Sequence, residues 1–314
     1  MAVLTLLATS QRLPAGLLSG PAWRLLASST VLAGAESALV TAVRDAGSEV
    51  RVEVFDAVRL AAVTKESGAA LWLLDGADPA EFAAAVTAAD PGVTVEELVG
   101  SWDPPGAQLL DVVAVMDRLR SPGGCPWDAE QTHQTLAPYL LEEAYEAYDA
   151  LVDQDLAGLR EELGDVLLQV AFHSRLAQEL PPGQRWSIDD VAAGLVTKLV
   201  TRHPHVFAST VVADAEEVHE NWEQIKRREK ARESSMDGIA RTQPALALVA
   251  KMLSRATRAG VEASLPAAEG PAEQLGQRLF DIVAQARTAG LDAEAALRAA
   301  AIAYADAVRA AERS

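Results

Sequence analysis

Glu143 and Glu146 stand three residues apart, and so do Glu162 and Asp165. On a helix that spacing puts each pair on one face. The stretch between them, Asp153-Gln154-Asp155 with Gly158 behind it, is turn-forming, so two successive helices can fold back as a hairpin. Four carboxylates would then meet in one groove, where they cannot all stay ionised beside apolar neighbours without a compensating cation. Hard oxygen ligands with no thiolate favour Mg²⁺ or Mn²⁺. The competing reading is two amphipathic helices whose acids simply face water. Leu140, Ala144, Ala147 and Leu151 recur at helical spacing, as do Leu159, Leu163, Val166 and Val170. These apolar stripes border the acidic positions and favour the groove. Gly164, inside the second helix, costs ~1 kcal/mol relative to alanine. It is expected to mark a close approach of backbone or metal.

Two further spacings could ligate metal. Glu130-x-x-His133 and Glu216-x-x-His219 are each half of what a diiron carboxylate bundle uses. Their order along the chain does not fit that plan, and Glu130–His133 falls in a loop-like stretch, so each histidine is expected at a surface or cap. Cys125 is the one cysteine, which excludes an intramolecular disulfide and a thiolate zinc cluster and fits a reducing cytoplasm. It is read as structural. No GxGxxG or GxxxxGK[ST] occurs, and Gly16, Gly20 and Gly34 read as turn residues.

The elements that must position the acids occupy the most charged part of the chain. The 314 residues carry 27 Lys plus Arg against 45 Asp plus Glu, a formal charge of −18. Residues 121–220 hold 5 basic and 18 acidic side chains and every histidine. Such a field repels duplex nucleic acid, whose affinity depends on clustered cations. It accepts a small anion only where metal ions bridge it to the carboxylates. No run of 18 uncharged apolar residues is present and the start lacks a basic n-region, so neither a membrane span nor a secretory signal is expected.

Residues 1–100 alternate in type. Val3–Leu7, Glu49–Phe55 and Ala70–Leu74 read as strands; Ala22–Leu26, Glu36–Arg44 and Asp78–Ala89 read as helices, the last with Asp78 as N-cap and Pro79 at N1. The segment near Lys65 reads as polar connection. This is the pattern of a small layered α/β domain with parallel pairing. Two turn-rich stretches, Asp103–Gly106 and Ser121–Gly124, flank a helix over Gln108–Leu119. Beyond them the chain is helical: Leu136–Asp153, Leu156–Leu180, Ser187–Leu199, Asp214–Arg232 and shorter alanine-rich helices from Pro244. Breaks fall at Glu179–Gln184 and Leu265–Glu273. The expected organisation is multidomain: a small α/β domain over 1–100, an all-α domain over 101–240 that carries the acids, and a helical domain over 241–314.

Six motifs occur in order: Cys125-Pro126-Trp127-Asp128; Gln131-Thr132; Glu142-Glu143-x-x-Glu146; Glu162-x-x-Asp165; Arg202-His203-Pro204-His205-Val206-Phe207; and Trp222-Glu223-Gln224-Ile225-Lys226. Together, across about 108–240, they resemble the MazG nucleoside triphosphate pyrophosphohydrolases. The resemblance implies an all-α core that binds Mg²⁺ and cleaves nucleoside triphosphates between the α and β phosphates, releasing monophosphate and pyrophosphate, in the manner of nucleotide-pool house-cleaning. It implies Glu143, Glu146, Glu162 and Asp165 as metal ligands, with Glu142 and Glu161 in outer-shell or water-orienting roles. Lys198 and Arg202 match basic positions that meet the phosphates, and Trp127, Asp128, Trp222 and Lys226 complete the expected substrate contacts. Trp127 is read both as a base-stacking plate and as a lid on the helical core.

Longer members of that family carry two such domains. Here Gly260-Val261-Glu262 sits where a second would begin, but no second EExxE follows. Glu273-Gln274-Leu275-Gly276-Gln277 resembles the family's ExxGD with glutamine for aspartate, so residues 241–314 are expected to be a degenerate copy that packs or dimerises. Residues 1–100 faintly resemble a tetrapyrrole methylase domain through Gly16-Leu17-Leu18-Ser19 and Ala22-Trp23, and carry no assigned activity. The reading is a cytoplasmic, Mg²⁺-dependent enzyme, homodimeric, with one working site per chain. Its rival is a non-enzymatic helical interaction protein whose acids form a solvated face.

Overall fold

The computed structural model describes residues 2–209 and 234–313, with 212, 214, 217, 218, 222 and 225 between them. The chain forms two compact units, 1–193 and 194–314. The first opens with β1 (Ala2–Ala8), α1 (Gly20–Ser28), β2 (Thr30–Ala33), α2 (Ala38–Asp45), β3 (Val50–Val52), α3 (Ala57–Ser67), β4 (Ala69–Leu73), α4 (Pro79–Ala89) and β5 (Val93–Val99). All pairings are parallel, in the order β3-β2-β4-β1-β5.

The apolar run of β1 follows from this topology, because a parallel sheet covered by helices buries both faces. Leu7, Val31, Leu71 and Leu73 pack with Leu26 of α1 and Val40 of α2, while Leu4, Leu6, Leu32 and Trp72 pack with Leu60 of α3 and Val86 of α4. The expected parallel α/β layer is present. Asp78 caps α4 by accepting from Ala80 N at 2.9 Å, with Pro79 at the first turn. Three elements differ from the sequence reading. The polar stretch near Lys65 is helix α3, capped by Asp56, with its one internal polar group satisfied by Thr64 donating to Leu60 O at 2.7 Å. β2 fits within the short gap between two helices, and β5 is an edge strand whose exposed Glu96 and Glu97 hide its alternation.

Arg12, just after β1, pairs with Asp103 and with Asp111 (2.7 Å), tying the sheet to α5 (Gln108–Arg120). Then follow α6 (Pro126–Glu130), α7 (His133–Val152) and α8 (Leu156–Ala177). Met116, Leu136, Ala171, Phe172 and Leu176 form the core beneath them. α7 starts three residues before the expected Leu136, because Thr132 and Thr135 cap each other's backbone N–H. α9 (Ile188–Arg202) crosses the division between the units. The second unit continues with α10 (Pro204–Phe207), α11 (Ala245–Arg258), α12 (Pro271–Thr288) and α13 (Ala293–Glu312). Most of the helix expected over 214–232 lies outside the described residues.

Candidate active site

The turn expected at 153–155 joins α7 to α8. Gln154 adopts left-handed φ (+58°), and Asp155 accepts from Ala157 N and Gly158 N at 3.1 and 3.0 Å, starting the second helix directly. The hairpin brings Glu143, Glu146 and Glu162 together, each with a carboxylate oxygen within 4.8 Å of the others. Glu143 and Glu162 are half-buried and Glu146 is exposed.

Their electrostatics follow from this crowding. Loss of water raises the Glu143 carboxyl above its ordinary range, and the charges of Asp165, Glu146 and Glu142 add to that. Glu162 is raised first by burial, then by Glu146, Asp165 and Glu161. Glu146 bears on both, and its carboxylate lies within 4.8 Å of each. Asp165 bears on both electrostatically but its oxygens do not join the triad among the described residues. Close carboxylates that resist ionising suit a divalent cation, which converts their repulsion into coordination.

Some expectations need correction. A Cβ at Gly164 would meet nothing within 4 Å, so among the described residues none makes the expected close backbone approach there. Leu140, Leu151 and Leu163 of the apolar stripes are exposed; Ala147 alone of the α7 stripe is buried. No histidine joins the carboxylate cluster among the described residues. His133 instead faces His173, Nδ1 to Nδ1 at 2.8 Å, with Trp186 alongside. Glu216 and His219 lie outside the described residues.

Trp127 has one face to solvent and one to the helices. It is 51% exposed, yet its ring meets Tyr139 and Phe172 edge-on at 6.1 and 6.5 Å. Asp128 is buried. Cys125 is half-buried at the cap of α6, donating its N–H to Leu119 O at 2.7 Å. Lys198, Arg202 and Trp222 belong to the second unit. Lys198 is exposed, whereas Arg202 is buried with its guanidinium 5.9 Å from the Trp222 ring centre. Lys226 lies outside the described residues. Gln277 donates to Pro266 O at 2.6 Å, holding the linker against α12, and Glu273 is exposed. Sequence reading missed Tyr139, whose signal was its position one turn before Glu143.

At the carboxyl ends of β1 and β4, where connections leave in opposite directions and α/β sheets place ligands, Gln11 lies over Gly76 and donates to Asp75 at 3.2 Å.

The MazG nucleotide pyrophosphohydrolase domain matches residues 131–207, which include the whole carboxylate hairpin. The chain belongs to the MazG family of nucleotide pyrophosphohydrolases. It is 42% identical over 253 residues to a nucleoside triphosphate pyrophosphohydrolase of Mycolicibacterium smegmatis, spanning 76% of this chain and 73% of that protein. It is 36% identical over 215 residues to the nucleoside triphosphate pyrophosphohydrolase/pyrophosphatase MazG of Thermotoga maritima, spanning 62% and 82%. An uncharacterized 26.1 kDa protein of Streptomyces cacaoi is 51% identical over 219 residues, spanning 69% and 88%.

Proposed function

We propose that the protein hydrolyses nucleoside triphosphates at the bond between the α and β phosphates, giving monophosphate and pyrophosphate, with Mg²⁺ as cofactor and Mn²⁺ as a substitute. The observation that carries this reading is the Glu143–Glu146–Glu162 cluster at the α7–α8 hairpin. Its two raised carboxyls support a cation site rather than a solvated acidic face. Glu143, Glu146, Glu162 and Asp165 hold the cation. When bound, it supplies neutralising charge for the triphosphate and the leaving pyrophosphate and makes water a better nucleophile. Glu142 and Glu161, one position before a ligand on each helix, orient water. Trp127 stacks on the base, and Asp128 beside it contacts the substrate. Lys198, Arg202, Trp222 and Lys226 contact the substrate from the C-terminal side of the sequence, the two basic groups of α9 at the phosphates.

The organisation we propose is a sheet domain over 1–100 with no part in the chemistry, a catalytic domain over 101–240 and a degenerate helical copy over 241–314. The active form is a homodimer, supported by the exposed Leu140, Leu151 and Leu163 beside the site. No helix among the described residues is long and apolar enough to cross a membrane, and we place the enzyme in the cytoplasm, clearing the nucleotide pool. The test is a panel of ribo- and deoxyribonucleoside triphosphates assayed for both pyrophosphate and phosphate, with and without Mg²⁺. Pyrophosphate release that requires the metal is expected. Diphosphate plus phosphate as products would overturn the bond assignment, and full activity in chelator would overturn the cation site.

A further inference from the structure

The turn that presents Trp127 is held by side chains outside the carboxylate cluster. Arg120, the last residue of α5, has a side chain only 8% exposed. It donates Nε and Nη2 to the two oxygens of Glu179 at 2.8 and 2.9 Å, and its Nη1 donates to the backbone carbonyl of Asp128. Its guanidinium carbon lies 6.0 Å from the centre of the Phe172 ring, the same ring that supports Trp127. Arg175 donates to the same Glu179 Oε1 at 2.9 Å, and is itself paired with Asp117 at 2.8 Å. The Arg120 contact holds the Glu179 carboxyl below its ordinary range, so the clamp is charged at neutral pH. Gln131, itself buried, donates Nε2 to Trp127 O at 2.9 Å and accepts from Thr135 at 2.8 Å. Both carbonyls of the Trp127-Asp128 step are therefore gripped by side chains, Gln131 from the end of the same turn and Arg120 from α5.

Such investment in one short turn has a geometric result. It fixes an aromatic plate, half in solvent, edge-on to Tyr139, which sits one helical turn before Glu143. We infer that Arg120 is a positioning residue for nucleotide recognition, acting through Trp127 to hold the stacking surface at a fixed place beside the carboxylate hairpin. This rests on the proposed nucleotide reading and deepens it. Lysine could pair with Glu179 but, as a point charge, could not also keep the planar grip on the Asp128 carbonyl.

The test is a double-mutant cycle on the full chain, using the best triphosphate from the panel. Arg120→Met should raise KM about tenfold with kcat within about twofold, the size expected for one displaced stacking contact. Trp127→Ala should do the same, and the double variant should be no worse than Trp127→Ala alone. Mn²⁺ binding without nucleotide, measured by calorimetry, should not change. Arg120→Lys should recover the melting temperature but not KM, which separates positioning from simple stability. Additive effects in the double variant, or an unchanged KM in folded Arg120→Met, would overturn the inference. A readout independent of turnover is fluorine NMR on fluorotryptophan-labelled protein, with the Trp127 resonance assigned by its absence in Trp127→Phe. It should move towards the free amino acid in Arg120→Met, and in Arg120→Lys if the methionine variant does not fold. An unmoved resonance overturns the inference. A moved resonance in a protein that hydrolyses no triphosphate places the failure in the functional reading instead.

Discussion

Glu162 faces Glu146 from across the hairpin, half-buried, with carboxylate oxygens within 4.8 Å of each other. Replacing it by glutamine keeps shape and removes one anionic ligand. Glu162→Gln is expected to lower pyrophosphate release by at least about a hundredfold, the scale of removing a group that stabilises charge in the transition state. Its circular dichroism should be unchanged, Mn²⁺ affinity should fall, and the metal-free melting temperature should rise slightly as one repulsion is relieved. Wild-type turnover in this variant would remove the site assignment. The same repulsion sets a pH dependence. Glu143 and Glu162 are raised above their ordinary 4.5, so they ionise less readily folded than unfolded. Wherever these groups are ionised, the metal-free fold bears the repulsion. Stability should therefore grow as pH falls through the raised range towards 4.5, where the unfolded state also protonates. In saturating Mg²⁺ the sign should reverse, because protons then compete with the cation. Thermal unfolding against pH in chelator and in Mg²⁺ checks this, and identical slopes would contradict it.

The element on which this arrangement hinges is the connection from α5 to α7. Its backbone folds back on the end of α5 so closely that a Cβ at Gly124 would lie 2.1 Å from Leu119 O and 2.5 Å from Arg118 O. Backbone atoms cannot swing aside as a side-chain tip can. Gly124→Ala is expected to cost about 1–3 kcal/mol, as forced overpacking does, read as a lower urea midpoint with unchanged slope. It should also raise KM, since the displaced turn carries Trp127. At this scale the sequence was legible where a local signal sufficed. Asp78-Pro79 announced α4, and Asp153-Gln154-Asp155 announced the hairpin that gathers the acids. The carboxylate positions were readable because i,i+3 spacing is itself the geometry. α3 was not, since its buried face is only Leu60, Ala61 and Thr64 among charged neighbours. Arg120 was invisible for a different reason: an arginine closing a helix reads as a routine cap charge, and its partners are a glutamate 59 residues away and a carbonyl. The exposed leucines of α7 and α8 were misplaced because periodicity reports an apolar face, not what covers it.

In the whole molecule, one carboxylate hairpin is expected to do the chemistry. Gln277 offers no anionic ligand and is engaged by Pro266, and Glu273 stands exposed on α12. Glu273→Ala should leave kcat and KM for pyrophosphate release unchanged, while removal of 244–314 should act through assembly or stability. Steady-state kinetics with size-exclusion chromatography on both variants tests this; loss of turnover in a well-folded Glu273→Ala of native size would give the C-terminal helices a catalytic part. The two architectures of the first unit also differ in how the chain must reach them. Ala2 pairs with Val93 and Val3 with Ala69, so β1 is synthesised well before either strand that pairs with it. α7 and α8 need only the short turn at 153–155 to meet. Contacts distant in sequence form slowly and local ones quickly. The acidic hairpin can thus assemble on its own clock, while the first strand spends its early life as a bare apolar segment that nascent-chain chaperones would have to shield.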